Sequence, residues 1–328
     1  MMENGAMATV TDTGRAAWLA ERRQGIGGSD AAGILGCSPW ATPLTVWLDK
    51  TGRAEPKEET LPMRIGMELE DFVARLYCGE TGRRVRRFTR MVHDGCFLGN
   101  FDRLVIPEGE KVASHMGEVR TDTLLECKTG SRPWDGEVPI HYQTQVQHYM
   151  GLVPALRRAH VAYLDLVSRR FEVHEVERDD VAIAAMQERL REWWDRYVAR
   201  DEMPPPATEE DCRLAWARSN PGKRVTASAE VAAALGRYRD LSAEAKRIGE
   251  EMDAAKCAVC AAMGDAETLA AEDGTALATW RSAKDSVRVD WEAVARECGA
   301  TDEQIAAHSE TRPGARRFVL KAAKKATA

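Results

Sequence analysis

The stretch Leu124-Leu125-Glu126-Cys127-Lys128, together with Gly99-Asn100-Phe101-Asp102 upstream, decides how this 328-residue chain is read. Side chains along a strand alternate between faces, so Glu126 and Lys128 share one face while Leu125 and Cys127 point into the opposite layer. A carboxylate and an ammonium on one face of a central strand are costly to desolvate unless they serve each other or a ligand. Asp102, on the preceding predicted strand, supplies a second carboxylate. Two hard oxygen ligands plus waters suit Mg²⁺, which polarises a phosphodiester and lowers the pKa of a bound water. Lys128 would orient or deprotonate that water, or offset charge in the transition state. An E-x-K pair alone fits an ordinary salt bridge on a half-exposed strand equally well.

Neighbouring helices add company. A helix predicted over 66–80 carries Leu69, Phe72, Val73, Leu76 and Tyr77 on one stripe and sets Glu70 at its edge, where a third carboxylate would reach a metal directly or through water. Periodicity leaves Glu68, on the other edge, nearly equivalent. On a helix over 140–151, Tyr142, Gln145 and Tyr149 fall at i, i+3 and i+7, with Gln147 beside them. An amide such as Gln145 would hold the attacking water or a phosphate oxygen, or simply hydrogen-bond a loop.

Around these residues the predicted order is short helices over 29–35 and 44–50, the 66–80 helix, and strands over 84–93, 97–106 and 122–128. The 140–151 helix, strands over 159–166 and 170–176, and a helix over 179–200 follow. That is an α/β order. Residues 1–14 read as a disordered tail, 15–203 as the first domain, 204–224 as a linker opened by Pro204-Pro205-Pro206, and 225–328 as a mainly helical second domain. In that last part Val231, Leu235, Tyr238, Leu241, Ala245, Ile248 and Met252 mark a long amphipathic helix or helical pair over 225–263. A strand over 276–281, a helix over 290–298 and a final strand near 317–320 complete it.

With 46 Lys and Arg against 52 Asp and Glu, the net charge is −6, which disfavours a wholly basic surface but leaves room for a local basic groove. No apolar run is long enough for a bilayer and no signal segment is visible, so a cytoplasmic protein without membrane contact is expected. Of eight cysteines only Cys257 and Cys260 form C-x-x-C, read as buried thiols on consecutive turns rather than half a zinc site. Arg83, Arg84, Arg86, Arg87 and Arg90 would track a DNA backbone or protect an edge strand. Trp193 and Trp194 read as core and interface residues.

The runs Trp18-Leu19-Ala20-Glu21-Arg22-Arg23-Gln24-Gly25-Ile26-Gly27-Gly28-Ser29-Asp30, Ser38-Pro39-Trp40, Thr42-Pro43 and Gly66-Met67-Glu68-Leu69-Glu70 precede Asp102, Glu126-Cys127-Lys128 and Gln145-Val146-Gln147. In that order they resemble the YqaJ-like viral recombinases, grouped with lambda exonuclease in the PD-(D/E)xK nuclease superfamily. The resemblance covers about residues 15–200. It implies a restriction-endonuclease-like core with a mixed central sheet flanked by helices. It implies metal ligation by Asp102, Glu126 and the Cys127 carbonyl, a supporting acidic role for Glu70, water positioning or activation by Lys128, and a polar role for Gln145. The implied reaction is Mg²⁺-dependent (Mn²⁺ as substitute) hydrolysis of linear double-stranded DNA from 5′ ends, leaving 3′ single strands for an annealing protein. The enzyme would be a homo-oligomeric ring in a phage-type recombination system. A DNA-end-binding module or an endonuclease is the alternative. Where the family usually has Pro before the first catalytic Asp, this chain has Phe101. The glycine-rich approach to Ser29 lacks the strand and spacing of a dinucleotide loop. It exposes N–H groups to a phosphate instead, and the resemblance sets Arg23 and Ser29 near a 5′ phosphate, with Arg132 a further candidate.

Overall fold

Leu124 and Leu125 are both fully buried, yet they belong to different cores, one on each side of a sheet. The computed structural model describes residues 12–55, 59–115, 118–134, 136–310 and 318–319. It packs as two units that divide between Ala217 and Arg218.

The first unit begins with α1 (Asp12–Arg22), α2 (Gly28–Ile34), α3 (Pro43–Lys50) and α4 (Leu61–Thr81). Short strands β1 (Val85–Arg87), β2 (Val92–Asp94), β3 (Phe97–Gly99), β4 (Arg103–Val105), β5 (Ser114–His115) and β6 (Glu118–Val119) lead to the long β7 (Thr123–Gly130). Then come α5 (Ile140–Leu152), β8 (Arg158–Asp165), β9 (Arg170–Glu177), α6 (Asp180–Trp193) and α7 (Glu209–Ala215). The main sheet has the order β1-β4-β7-β8-β9, with β7 and β8 parallel and the other pairs antiparallel. A parallel pair needs a crossover, and α5 supplies it. This is the expected mixed sheet flanked by helices. Strand alternation sorts the layers: Leu104, Leu124 and Val161 join Val146 and Met150 of α5, while Val105, Leu125 and Ala162 join Val73, Ala74 and Tyr77 of α4.

The predicted strands over 84–93 and 97–106 are each broken in two. Phe88 and Phe101 leave the strand path to stack on one another, ring centroids 4.7 Å apart, as buried side chains. Asp102 therefore lies in the break between β3 and β4 rather than within a strand. The helix expected over 66–80 starts earlier, at Leu61 with Pro62 in its first turn, and its Phe72 is exposed. Burial on that helix follows Val73, Ala74 and Tyr77. The helix expected over 179–200 is α-helical to Trp193 and continues as a π-helical turn over Trp194–Ala199, where the Trp47 indole N–H donates to the Tyr197 carbonyl at 2.8 Å. Trp193 is buried and Trp194 half-buried.

Of the expected tail, residues 1–11 lie outside the described residues, and Asp12 opens α1. Part of the expected linker is structured: Pro204 is buried, and Asp211 of α7 accepts a 2.7 Å hydrogen bond from Thr42.

The second unit holds α8 (Ala229–Met263), an antiparallel pair β10 (Thr268–Ala270) and β11 (Ala276–Thr279), α9 (Trp291–Glu297) and α10 (Asp302–Ala307). The apolar stripe of α8 is exposed at Val231, Tyr238, Leu241, Ile248 and Met252. Cys257 is exposed and Cys260 half-buried, contrary to the expected buried thiols, and of α8 only Met263 is buried among the described residues. The strand expected near 317–320 falls largely outside the described residues. No described helix is long and apolar enough to cross a membrane.

Candidate active site

Two backbone facts aim the acidic groups. Pairing of β4 with β7 joins Leu104 to Leu124 and Arg103 to Leu125, and goes no further. The Cys127 N–H, past the end of that ladder, donates instead to Asp102 Oδ2 at 2.8 Å. Asp102 is thus pinned against β7 beside Glu126. Glu126 shares the α5 face of β7 with Lys128, as alternation predicted, and is 3% exposed. Its Oε1 accepts from Lys128 Nζ and from Gln145 Nε2 of α5, both at 2.8 Å. Its Oε2 is buried with no hydrogen-bond partner. Gln145 Nε2 also donates to the Tyr149 hydroxyl at 2.9 Å, and Lys128 Nζ stands 4.8 Å from the centre of the Tyr142 ring.

Burial, then repulsion from Glu126 and Glu70, holds the Asp102 carboxyl well above the usual carboxylate range. Burial alone would lower the Lys128 ammonium, but Glu126 and Asp102 outweigh it and keep the group above its ordinary value. Lys128 is therefore a charged donor at neutral pH. Burial and then Glu126 push the Tyr149 hydroxyl up, so it stays neutral. The Cys127 thiol, which packs against the α4 core, is pushed up by burial and by Asp102.

Glu70 is placed differently from the expected acidic support. Its Oε1 accepts from Arg103 Nη1 at 2.6 Å and from Arg87 Nη2 at 3.2 Å, so two guanidiniums hold it while its charge still raises the Asp102 carboxyl. Arg103 is buried and also pairs with Asp71. Glu68 is exposed.

A cavity of about 180 Å³ opens in front of the carboxylates, lined among others by Asp102, Glu126, Gln145, Tyr149, Arg22 and Ser29. Arg22, not Arg23, occupies its wall. Arg22 donates to Ser29 Oγ at 3.2 Å and lies over the Trp18 ring, whereas Arg23 is exposed near Asp49. The signal was present: Trp18 and Arg22 are four residues apart on α1, hence on one face. Arg132 does not line the cavity, and its carbonyl accepts from the Tyr163 hydroxyl. Of the N–H groups in the glycine-rich approach to Ser29, that of Gly27 is taken by Asp30 Oδ2 at 2.8 Å. Asp30 in turn pairs with the buried Lys50 at 2.5 Å, and Lys50 donates to the Arg22 carbonyl. This Asp30–Lys50 pair ties α1, α2 and α3 together beside the cavity, and nothing in the sequence pattern announced it. Gly28 is required where α2 meets α5, since a Cβ there would stand 2.7 Å from the Tyr149 ring.

Among the described residues no group of three or more His, Cys, Asp and Glu side chains stands at metal-holding spacing. The acidic side chains that share the cavity lining are those of Asp102 and Glu126. They fit a hard cation: Glu126 Oε1 is saturated by two donors, Oε2 is buried and unpartnered, and the adjacent Asp102 is destabilised as an anion until positive charge arrives.

Residues 17–153 match the model of the YqaJ-like viral recombinase domain. Over 237 residues the chain is 35% identical to the uncharacterized protein YqaJ of Bacillus subtilis (strain 168), covering 68% of this chain and 70% of that one. Among solved structures it is similar to the alkaline exonuclease LHK-Exo of Laribacter hongkongensis, with TM-score 0.43 and 18% identity, covering 56% of this chain and 93% of that one. It is also similar to a phage-related exonuclease from Haemophilus somnus 129PT, with TM-score 0.39 and 15% identity, covering 56% and 100%. The domain match spans the loop at Asp102, the strand carrying Glu126 and Lys128, and the helix carrying Gln145, and the chain belongs to the YqaJ-like viral recombinase family.

Proposed function

We propose that the protein is a metal-dependent deoxyribonuclease that hydrolyses phosphodiester bonds at the ends of linear double-stranded DNA. It would work from the 5′ end and leave 3′ single strands for a single-strand annealing partner in phage-type recombination. The observation that carries this reading is the convergence of Asp102 and Glu126 on one cavity wall, with Glu126 Oε2 buried and unpartnered. Asp102, Glu126 and the Cys127 carbonyl would hold Mg²⁺, or Mn²⁺ in its place. The bound ion would offset the charge that builds on the phosphate during hydrolysis.

The protein's own groups divide the remaining work. Gln145 and Lys128 lock Glu126 by its Oε1, which fixes the direction of the other oxygen. Lys128 keeps its proton on Nζ and presents positive charge beside the phosphate, a role its raised pKa favours over that of a base. Arg22 and Ser29, in the lining of the same cavity, offer a guanidinium and a hydroxyl to a terminal 5′ phosphate, which favours attack near a 5′ end. Glu70 acts at one remove by orienting Arg103, whose Nη1 also bonds the Asp102 carbonyl at 2.7 Å. A closed homo-oligomeric ring would keep such an enzyme on its substrate. The proposed domain limits are 15–203 for catalysis and 225–328 for assembly or partner binding, in a cytoplasmic setting.

The test is digestion of end-labelled linear duplex with and without Mg²⁺, using free or blocked 5′ and 3′ termini and a closed circle as control. Mg²⁺-dependent loss of the 5′ label from linear DNA, with the circle intact, is the expected result. Cutting of the circle would replace exonuclease by endonuclease, and binding of ends without cutting would leave only an end-binding module.

A further inference from the structure

Three tryptophans of the first unit show what this fold does with indoles. Trp47 and Trp193 are each 7% exposed and serve the core, whereas Trp40 is 68% exposed. Trp40 is nevertheless held in place. Ser38 Oγ accepts from the backbone N–H groups of Trp40 and Ala41, both at 3.2 Å, and Thr42 caps α3 just beyond. The indole meets the His141 ring edge-on at a centroid distance of 4.8 Å and the Tyr142 ring at 6.1 Å. Tyr142 is the ring that bears the Lys128 ammonium. A chain of rings thus runs from the cation beside Glu126 to solvent, and it ends on an exposed indole in a fixed turn.

To bring a backbone phosphate from a duplex end down to carboxylates inside a cavity, the strand must part from its complement, which forfeits base stacking. An aromatic face next to the reacting phosphate restores that stacking for any base, without selecting sequence. We propose that Trp40, braced by His141 and Tyr142, is a stacking platform for an unpaired nucleobase of the strand being cut, adjacent to the phosphate at Lys128. This rests on the nuclease reading above.

The test uses full-length protein and duplexes carrying 2-aminopurine at the first, second or third nucleotide from the 5′ end. Binding is followed in a Glu126→Gln background, so that the DNA stays intact, and digestion is followed in the otherwise native enzyme. Stacking on the indole quenches 2-aminopurine at one of these positions. Trp40→Ala is expected to remove that quench, weaken binding and raise KM about tenfold or more, with kcat less affected. Trp40→Phe is expected to keep most of both, and thermal midpoints should match because the residue is exposed. Unchanged quench and KM in Trp40→Ala, or equal loss in Trp40→Phe, overturns the proposal while leaving a DNA-degrading enzyme in place. Native protein that neither binds nor degrades linear duplex overturns the nuclease reading and the stacking proposal together.

Discussion

The two faces of the central sheet each bury a polar cluster, and they are finished differently. On the α4 face, the Tyr77 hydroxyl lies 2.6 Å from His160 Nδ1, and His160 Nε2 lies 3.2 Å from Glu175. Both His160 nitrogens are engaged. On the α5 face, Glu126 has one oxygen doubly bonded and the other buried without a partner, next to a carboxyl that burial and repulsion hold up. Both clusters would look alike in a list of buried polar residues. Satisfied polarity stabilises a fold, whereas a buried orphan oxygen at a cavity costs stability and persists where a ligand completes it.

The sharpest way to break this comparison is to neutralise one member on each face. Glu126→Gln is expected to lower the rate of Mg²⁺-dependent DNA degradation by about a thousandfold. Its thermal midpoint should be equal or higher in the absence of metal, because one of two repelling carboxylates is gone and Asp102 remains as a counter-charge for Lys128. A midpoint that collapses with activity would make Glu126 a structural residue.

The Asp30–Lys50 pair beside the cavity gives an intermediate case, a buried ion pair with both members bonded. Burial raises the Asp30 carboxyl, but Lys50 and then Arg22 outweigh it, so its folded value lies below the ordinary one. The stabilisation it brings is therefore present above the unfolded value and lost as pH falls through the folded one. Asp30→Asn leaves Lys50 without its counter-charge and should cost about 3 kcal/mol at neutral pH. The gap between native and variant should stay level down to about pH 4 and shrink below it, in denaturant titrations across pH. A gap that widens on acidification contradicts the pairing.

Tyr77→Phe should have the smallest effect and the opposite signature to Glu126→Gln. It leaves His160 Nδ1 unpaired at a cost of about 1–3 kcal/mol in chemical denaturation, with the rate of DNA degradation unchanged.

Sequence alone made the α5 face legible because its logic is local. Alternation along β7 sets Glu126 and Lys128 together, and i, i+3, i+7 spacing sets Tyr142, Gln145 and Tyr149 on one side of α5. What escaped depends on partners distant in the chain. The Phe88–Phe101 stack breaks two predicted strands and carries Asp102 to the end of a ladder. Arg103, next to Asp102 and buried, takes Glu70 as its counter-ion. Helix phase would have favoured Arg22 over Arg23, but from 17 to 22 every described side chain of α1 is exposed or half-buried, so no core face marks its phase. The short pairing of β5 with β6, like that of β10 with β11, spans too few residues for a period to register.

Whether Glu126 Oε2 is a metal position is the claim on which the comparison turns, and calorimetric titration of Mg²⁺ into DNA-free protein tests it most directly. Native protein and Tyr77→Phe should bind Mg²⁺ alike, and Glu126→Gln should lose the heat of binding. Equal Mg²⁺ affinity in Glu126→Gln and native protein would contradict the account.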